Sequence, residues 1–169
     1  RLLIGIDPAL RCRTGIGRSS LLRELMTQVS PLFDRVFVLQ GQNAASWRQS
    51  LGQMASQLDI RQKEFRRASD LISSIRGWLG QHDRWLIAVD HASDLDEISE
   101  LLEGVGTGQL IAVVQDPTNV DSGSWPPPLP LGTLARSDAA EILRAGLARS
   151  WKSPDEQALA YEVAGLLEG

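Results

Sequence analysis

The sequence predicts a three-layer α/β domain built on a mainly parallel sheet, and three observations lead to that class. Five short apolar runs alternate with amphipathic helical patterns over residues 1–134. The runs are continuously apolar, which is typical of strands buried on both faces of a sheet. Helices between such strands supply the right-handed crossovers that parallel strands require. After residue 134 the strand patterns stop, while helical patterns continue.

The elements follow in order along the chain. The predicted strands are Leu2–Ile6, Val36–Gln40, Trp85–Asp90, Leu110–Gln115 and Leu129–Leu134. The predicted helices are Ser19–Val29, Ala44–Leu58, Ala68–Leu79, Asp96–Leu102 and Ser137–Leu147. Asp7-Pro8 follows the first strand and leaves open whether it continues as Ala9–Cys12.

The helix Ala44–Leu58 has the clearest periodicity. Trp47, Leu51, Met54 and Leu58 recur at helical spacing and therefore share one face. We predict that this face packs on the sheet. A functional role for the Trp47 ring is the alternative.

The chain divides, on these patterns, into an α/β domain over residues 1–134 and the beginning of a helical subdomain over residues 135–169. Ser153-Pro154-Asp155-Glu156 places a capping serine, a proline and a glutamate where a helix starts. The chain begins at Arg1 and ends at Gly169 inside a helical pattern. We therefore expect a piece of a longer protein.

The composition excludes several classes of function. Seventeen Lys+Arg stand against 21 Asp+Glu, for a net charge of −4, so we predict neither nucleic acid nor a membrane as a partner. A single cysteine, Cys12, excludes an internal disulfide and a multi-cysteine zinc site. No apolar stretch reaches the roughly 20 residues of a spanning helix. The expected compartment is the cytoplasm.

The segment Ser122–Pro130 is rich in proline, with three in succession at Pro126-Pro127-Pro128. This pattern is typical of a stiff, extended connector. We interpret it as the loop between the last two strands, and a PxxP ligand is the alternative.

The segment Cys12–Ser20 runs from a strand pattern into an amphipathic helix, the setting of a phosphate-binding loop. Gly15 and Gly17 can adopt positive φ, so that successive backbone N–H groups point into one concavity at a helix N-terminus. The hydroxyl of Ser19 is placed to bind Mg²⁺. Cys12 and Arg18 replace the first glycine and the lysine of GxxxxGK[ST]. An ordinary glycine-containing turn before a helix is the alternative.

Asp90 ends the apolar strand Arg84–Asp90 and is the second candidate. An acid at that position lies at the carboxyl edge of a parallel sheet, beside the phosphate loop, and can bind magnesium. His91, and not a second acid, follows it. The alternative is that Asp90 caps the following turn with Ser93.

Together these segments resemble the nucleotide-binding domain of the STAND class of P-loop NTPases, of the NB-ARC type. Thr14–Leu22 is similar to the GGIGKTTL of that family, Trp85–Ala92 to its WLLVLDN-A segment and Gly108–Asp116 to its fourth strand. Leu129–Leu143 resembles the entry to the helical lid, and Val163–Glu168 lies where the family has its GLPL motif. The resemblance implies a five-stranded sheet of the ASCE order, with the fourth strand between the first and third.

The resemblance also implies a site and its occupants. Gly15, Ile16, Gly17, Arg18, Ser19 and Ser20 would hold the phosphates of ATP or ADP, Ser19 and Asp90 would hold Mg²⁺, and Gln115 would face the γ-phosphate. Gln115 replaces the sensor arginine of the family. Because Arg18, His91 and Gln115 all depart from the pattern, we expect weak or absent ATP hydrolysis.

The expected role is a nucleotide-binding switch or scaffold within a multidomain regulator. Its partners would be other domains of the same protein and, through this domain, further copies of itself. The alternative is a pseudo-NTPase that binds no nucleotide and acts only as an oligomerization scaffold. A P-loop kinase is disfavoured because the sequence shows no lid rich in basic residues.

Overall fold

A computed structural model of the chain describes residues 2–6, 17–60, 68–106, 108–114, 125–132, 135, 137–139, 141, 158 and 162. The described strands and helices, in chain order, are β1 (Leu2–Ile6), α1 (Arg18–Val29), β2 (Arg35–Gln40), α2 (Ala44–Gln57), α3 (Ala68–Gln81), β3 (Trp85–Ala92), α4 (Leu95–Leu101), β4 (Gln109–Val114) and β5 (Leu129–Leu131). A short 3-10 helix, Ser30–Leu32, follows α1.

The strands form one parallel sheet in the order β2-β3-β4-β1-β5. The fourth strand thus lies between the first and the third. The α/β class and the parallel sheet with helices between its strands agree with the sequence prediction.

The sheet carries helices on both faces, and side chains alternate between two cores along β3 and β4. Leu86 and Ala88 of β3 point to the face covered by α1, where they meet Leu22 and Met26. Trp85, Ile87 and Val89 point to the opposite face, against α2, α3 and α4. Every residue of β3 except His91 is buried, as expected for a strand covered on both sides.

The predicted apolar face of α2 is confirmed. Trp47, Leu51, Met54 and Leu58 retain 4%, 2%, 1% and 9% of their accessible surface and belong to the core beneath the sheet. The Trp47 ring is therefore a core side chain, as predicted from its spacing. Asn43 starts the helix, because its side chain accepts hydrogen bonds from the Ala45 and Ser46 N–H groups and forms a capping box.

Some element ends differ from the prediction. β5 ends at Leu131 and not at Leu134, since Pro130 has no N–H to donate and Gly132 follows. β3 continues past Asp90 to Ala92 through an irregularity between Val89 and Ala92. The continuation of the first strand as Ala9–Cys12 lies outside the described residues.

The chain separates into two compact units: of the described residues, 2–6 and 17–131 belong to the first and those from Gly132 onward to the second. In the second unit the described residues 137–139 and 141 are helical, and the Asp138 and Ala139 N–H groups donate to the Ala135 carbonyl. The predicted helix start at Ser153–Glu156 lies outside the described residues. The boundary between residues 134 and 135 stays a prediction.

Among the helices that the structure describes, none is both long and apolar enough to cross a lipid bilayer.

Candidate phosphate-binding edge

The candidate site is the carboxyl edge of the sheet, where β3 and β4 end and α1 begins. We define this edge by Gly17–Ser20, Asp90, His91 and Val114. Parallel strands end on the same side of a sheet, and α1 packs over β3 and β4. The sheet therefore brings the start of α1 to the same edge as Asp90, which follows it by 70 or more positions in the sequence.

Gly17 sets the start of α1. Its φ of 85° and ψ of 17° lie in the left-handed region, which glycine enters without steric cost. Among the residues that the structure describes, no side chain caps the helix, and its first turn holds no acidic residue. The N–H groups of a first helical turn have no partner within the helix, and together with the helix dipole they attract an anion.

Arg18 connects the first turn of α1 to the end of β4. Its Nη1 donates a hydrogen bond of 3.0 Å to the carbonyl oxygen of Val114, the last residue of β4. The guanidinium therefore lies over the carboxyl end of β4 and ties α1 to this strand. A planar guanidinium engaged in this way differs from a lysine ammonium, which is a compact charge on a flexible stem. Ser19 is half-buried and Ser20 is exposed.

Asp90 is one of two buried polar residues that the structure describes, with 8% of its surface exposed. Its Oδ1 accepts a hydrogen bond of 2.9 Å from the backbone N–H of His91. The Nδ1 atom of the His91 ring lies 3.2 Å from the same oxygen. One carboxylate oxygen of Asp90 thus accepts a hydrogen bond from the His91 backbone and lies beside the His91 ring.

His91 has a φ of 54°, which is uncommon for a residue with a side chain. This conformation falls within the irregularity of β3, after which Ala92 pairs with Val114. It turns the chain so that the backbone N–H and the ring of His91 both face Asp90. Backbone strain of this kind is often found at functional sites.

The predicted capping of the turn by Asp90 and Ser93 takes a different form. The Ser93 hydroxyl donates to the carbonyl of Gly41 at 2.7 Å, and the Ser93 N–H donates to the same oxygen at 3.0 Å. The Gly41 N–H in turn donates to the Asp90 carbonyl. The chain after β2 is therefore bound to the chain after β3, and Asp94 caps α4 instead.

Gly41 and Ser50 support this edge and were missed by the sequence analysis. A Cβ atom on Gly41 would lie 3.0 Å from Val89 Cγ1 and 3.1 Å from the Ala92 Cα, so a side chain there would push the two strand ends apart. Ser50 is buried, and its hydroxyl accepts a hydrogen bond from the Gln40 N–H. The signal in the sequence for this close approach of β2 to β3 is a glycine directly after a strand.

Several predicted site residues lie outside the described part of the chain. These are Gly15, Ile16 and Gln115, together with the replaced loop position Cys12. Of the predicted set, the structure describes Gly17, Arg18, Ser19, Ser20 and Asp90. Arg18 is placed at the strand end by its bond to Val114, and Asp90 by its position in β3.

The oxygen atoms of Ser19 and Asp90 are of the chemical kind that binds Mg²⁺ together with a phosphate group. A serine hydroxyl and a carboxylate are oxygen ligands that Mg²⁺ prefers, and the carboxylate of Asp90 is buried with the His91 ring beside it. Within the described residues, no group of three or more His, Cys, Asp or Glu side chains is arranged to hold a metal by itself.

A concavity of about 610 Å³ lies at the opposite, amino edge of the sheet. Its lining comes from the amino ends of β2 and β3 and the carboxyl ends of α2 and α3, namely Asp34, Arg35, Gln57, Leu58, Asp59, Trp78, Gln81, His82 and Asp83. Asp59 has a φ of 56°, because it occupies the left-handed position that ends α2. Ile60 N–H donates to the Ala55 carbonyl at 2.9 Å, which completes this cap. Sequence patterns gave no signal for the concavity, since it arises where two helix ends meet.

Comparison with known proteins identifies no family: no family model matches the chain, and no curated protein matches it.

Proposed function

We propose that this chain is a nucleotide-binding domain of the STAND, NB-ARC type, which serves as an ATP/ADP switch or scaffold within a longer regulator and hydrolyses ATP weakly or not at all. The observation that carries the proposal is the position of α1. It begins at a left-handed glycine after the first strand of a sheet with the order β2-β3-β4-β1-β5. That arrangement supports a P-loop NTPase fold with a phosphate-binding helix N-terminus.

The proposed roles follow from the placement of each group. Gly15–Ser20 would bind the phosphates through backbone N–H groups and the charge of Arg18. Ser19 and Asp90 would bind Mg²⁺, which neutralises phosphate charge when it is present. Gln115 would lie near the γ-phosphate and can donate a hydrogen bond without carrying charge.

Weak hydrolysis follows from the residues around Asp90 and Arg18. Phosphoryl transfer needs an oriented water and cationic stabilisation of the charge that spreads over the phosphoryl oxygens. The position for a water-orienting acid holds His91, whose ring lies beside Asp90 Oδ1. The Arg18 guanidinium donates to Val114, and a neutral glutamine occupies the sensor position.

Calorimetric titration of the chain with Mg-ADP tests the proposal. We expect binding with a Kd below about 1 mM, equivalent to a binding free energy of about −4 kcal/mol or better. Asp90→Asn and Ser19→Ala should weaken it when Mg²⁺ is present and have less effect in EDTA. Asp70→Asn removes an exposed carboxylate from the first turn of α3 and is the matched control.

A thermal shift gives an independent measurement of the same binding. A ligand that binds only the native state raises its stability by RT ln(1 + [L]/Kd). We expect a small rise in melting temperature with Mg-ADP, because Arg18 is a poorer replacement for lysine. A large shift at micromolar ADP would show that Arg18 replaces the lysine fully.

The second candidate function is a pseudo-NTPase scaffold, and one observation favours it. Arg18 and Asp90, the cation and the acid of the candidate edge, both make bonds within the protein, to Val114 and to His91. If these bonds are permanent, Mg-ADP will give neither heat nor a thermal shift at millimolar concentration. Such a result would replace the switch by the scaffold.

A further inference from the structure

The concavity at the amino edge of the sheet lies where α2 and α3 end. Its volume of about 610 Å³ falls within the range of sites that enclose small organic molecules. Every described lining residue belongs to the first compact unit of the chain. The candidate phosphate-binding edge lies at the other ends of the same strands, so the concavity is a separate feature of the domain.

The charges around the concavity are arranged against the helix dipoles. The carboxyl end of a helix carries partial negative charge, which a basic residue in the last turn offsets. Neither α2 nor α3 has a basic residue in its last turn. Instead, Asp59 lies two residues beyond the end of α2, and Asp83 lies two residues beyond the end of α3. This placement costs stability in the free protein, and a bound cation would offset that cost.

The ion pairs of the structure leave negative charge in the concavity. The described lining holds three carboxylates and one guanidinium, that of Arg35. Asp34 pairs with Arg84, whose Nε lies 3.2 Å from Asp34 Oδ1. Within the described residues, Asp59 and Asp83 form no ion pair. The charge of the concavity therefore complements a cationic ligand.

One wall of the concavity is apolar and aromatic. Leu58 is buried, and the half-buried indole of Trp78 stacks on the His82 ring, with the centroids 3.8 Å and the planes 7° apart. His82 Nδ1 lies 2.8 Å from the Trp78 carbonyl oxygen, and the Phe37 ring packs edge-on against the indole. These contacts hold the stacked pair in place, and it offers an apolar surface to an alkyl chain.

The positions of the carboxylates select the form of the cation. In the part of the chain that the structure describes, no three or more His, Cys, Asp or Glu side chains are grouped to hold one metal ion. Asp34, Asp59 and Asp83 come from three different connections and line a space much larger than a bare ion. Separate positive charges on a flexible chain can reach such carboxylates one by one, while the chain lies on the apolar wall.

We propose that this concavity binds primary ammonium groups carried on aliphatic stems, as in a linear polyamine. Asp59 and Asp83 would pair with two of these groups, and Leu58 and Trp78 would contact the methylene stem between them. A lysine-rich peptide presents the same chemistry and is the second source of such groups. The inference is independent of nucleotide binding, because it uses the opposite edge of the sheet.

Calorimetric titration of the intact chain with spermidine and, separately, with trilysine at an ionic strength of about 0.02 M tests the proposal. We expect at least one of the two to bind with a Kd below about 1 mM, and Asp59→Asn/Asp83→Asn to weaken that binding by about tenfold or more. Asp70→Asn/Asp96→Asn removes two exposed carboxylates from the first turns of α3 and α4 and has the same net charge. It is the matched control and should leave the affinity nearly unchanged.

Melting of the ligand-free variants separates lost binding from lost folding. Asp59→Asn/Asp83→Asn should melt at or above the wild-type temperature, because it removes negative charge from two helix carboxyl ends and asparagine tolerates the left-handed position 59. The control variant should not gain stability, since acids in the first turn of a helix are favourable.

The two ligands distinguish the source of the ammonium groups. Binding of spermidine alone identifies a free polyamine, and binding of trilysine alone identifies a peptide. The proposal is overturned if neither compound binds at about 1 mM, or if the two double variants affect binding equally. It is also overturned if Asp59→Asn/Asp83→Asn has a lower melting temperature than the control variant.

Discussion

At the scale of single residues, the indole ring of Trp47 belongs to the main core. Its Nε1–H is buried and finds no acceptor within the described part of the chain. An unsatisfied buried donor costs free energy, so the packing of the ring must outweigh that cost. The spacing of Trp47 with Leu51 and Met54 predicted the burial but could not predict the orphan donor, which depends on the surrounding side chains.

We expect Trp47→Ala to lower the free energy of unfolding by about 3–5 kcal/mol, because it removes a large buried ring and leaves a cavity. Trp47→Phe should cost less, since it keeps most of the apolar contact and removes the unsatisfied N–H group. Urea denaturation of both variants measures the difference. A near-neutral Trp47→Ala variant would show that the ring does not pack in the core.

Gly108 precedes β4 and supports the ring of Trp85. A Cβ atom at this position would lie 2.0 Å from the Trp85 ring, which is buried and donates from Nε1 to the Leu79 carbonyl at 3.1 Å. Gly108→Ala should therefore destabilise the domain by about 1–3 kcal/mol through overpacking. Gly106 is the matched control, because a Cβ there meets no atom within 4 Å. Equal melting temperatures for the two alanine variants would contradict this packing.

At the scale of secondary-structure elements, the contact between α1 and β4 joins residues 96 positions apart. Helical periodicity predicted α1 and an apolar run predicted β4, because both depend on neighbouring residues. The hydrogen bond from Arg18 to Val114 was not predictable, since it depends on how the helix lies over the sheet. The same reason applies to the bonds between Gly41 and Ser93, and to the left-handed turn at His91.

Arg18→Met should destabilise the chain even when no nucleotide is added. It removes a charge-assisted hydrogen bond to a strand-end carbonyl, and we expect a loss of about 1–2 kcal/mol. Arg23→Met, at an exposed position of the same helix, should change stability by less than about 0.5 kcal/mol. Chemical denaturation compares the two variants. If they are equally stable, Arg18 does not hold α1 to β4 in solution.

Arg18→Lys tests the hydrogen bond to Val114 separately from the positive charge of the side chain. Lysine keeps a positive charge but lacks the planar fork that reaches the carbonyl of Val114. We expect it to lose part of the stability and not to restore ATP hydrolysis, because His91 and Gln115 still occupy their positions.

At the scale of the whole molecule, the strand order and the packing of both sheet faces explain why polar residues meet at the carboxyl edge of the sheet. Burial of β3 and β4 on both sides fixes their carboxyl ends, and the helix after β1 places a glycine-led N-terminus at the same edge. The class of fold was predictable from the alternation of apolar runs and helices. The hydrogen bonds that Arg18 and Asp90 make at the carboxyl edge were not predictable, because they depend on tertiary packing.

Single-turnover ATP hydrolysis, measured on the wild-type chain and on Asp90→Ala side by side, tests whether this edge has the form of a nucleotide site without the groups that drive hydrolysis. The account predicts that the wild-type chain turns over no faster than about once per hour, far below the usual range for enzymes, and that Asp90→Ala does not differ from it. Robust Mg²⁺-dependent turnover that disappears in Asp90→Ala would contradict the account and would make this domain an active ATPase.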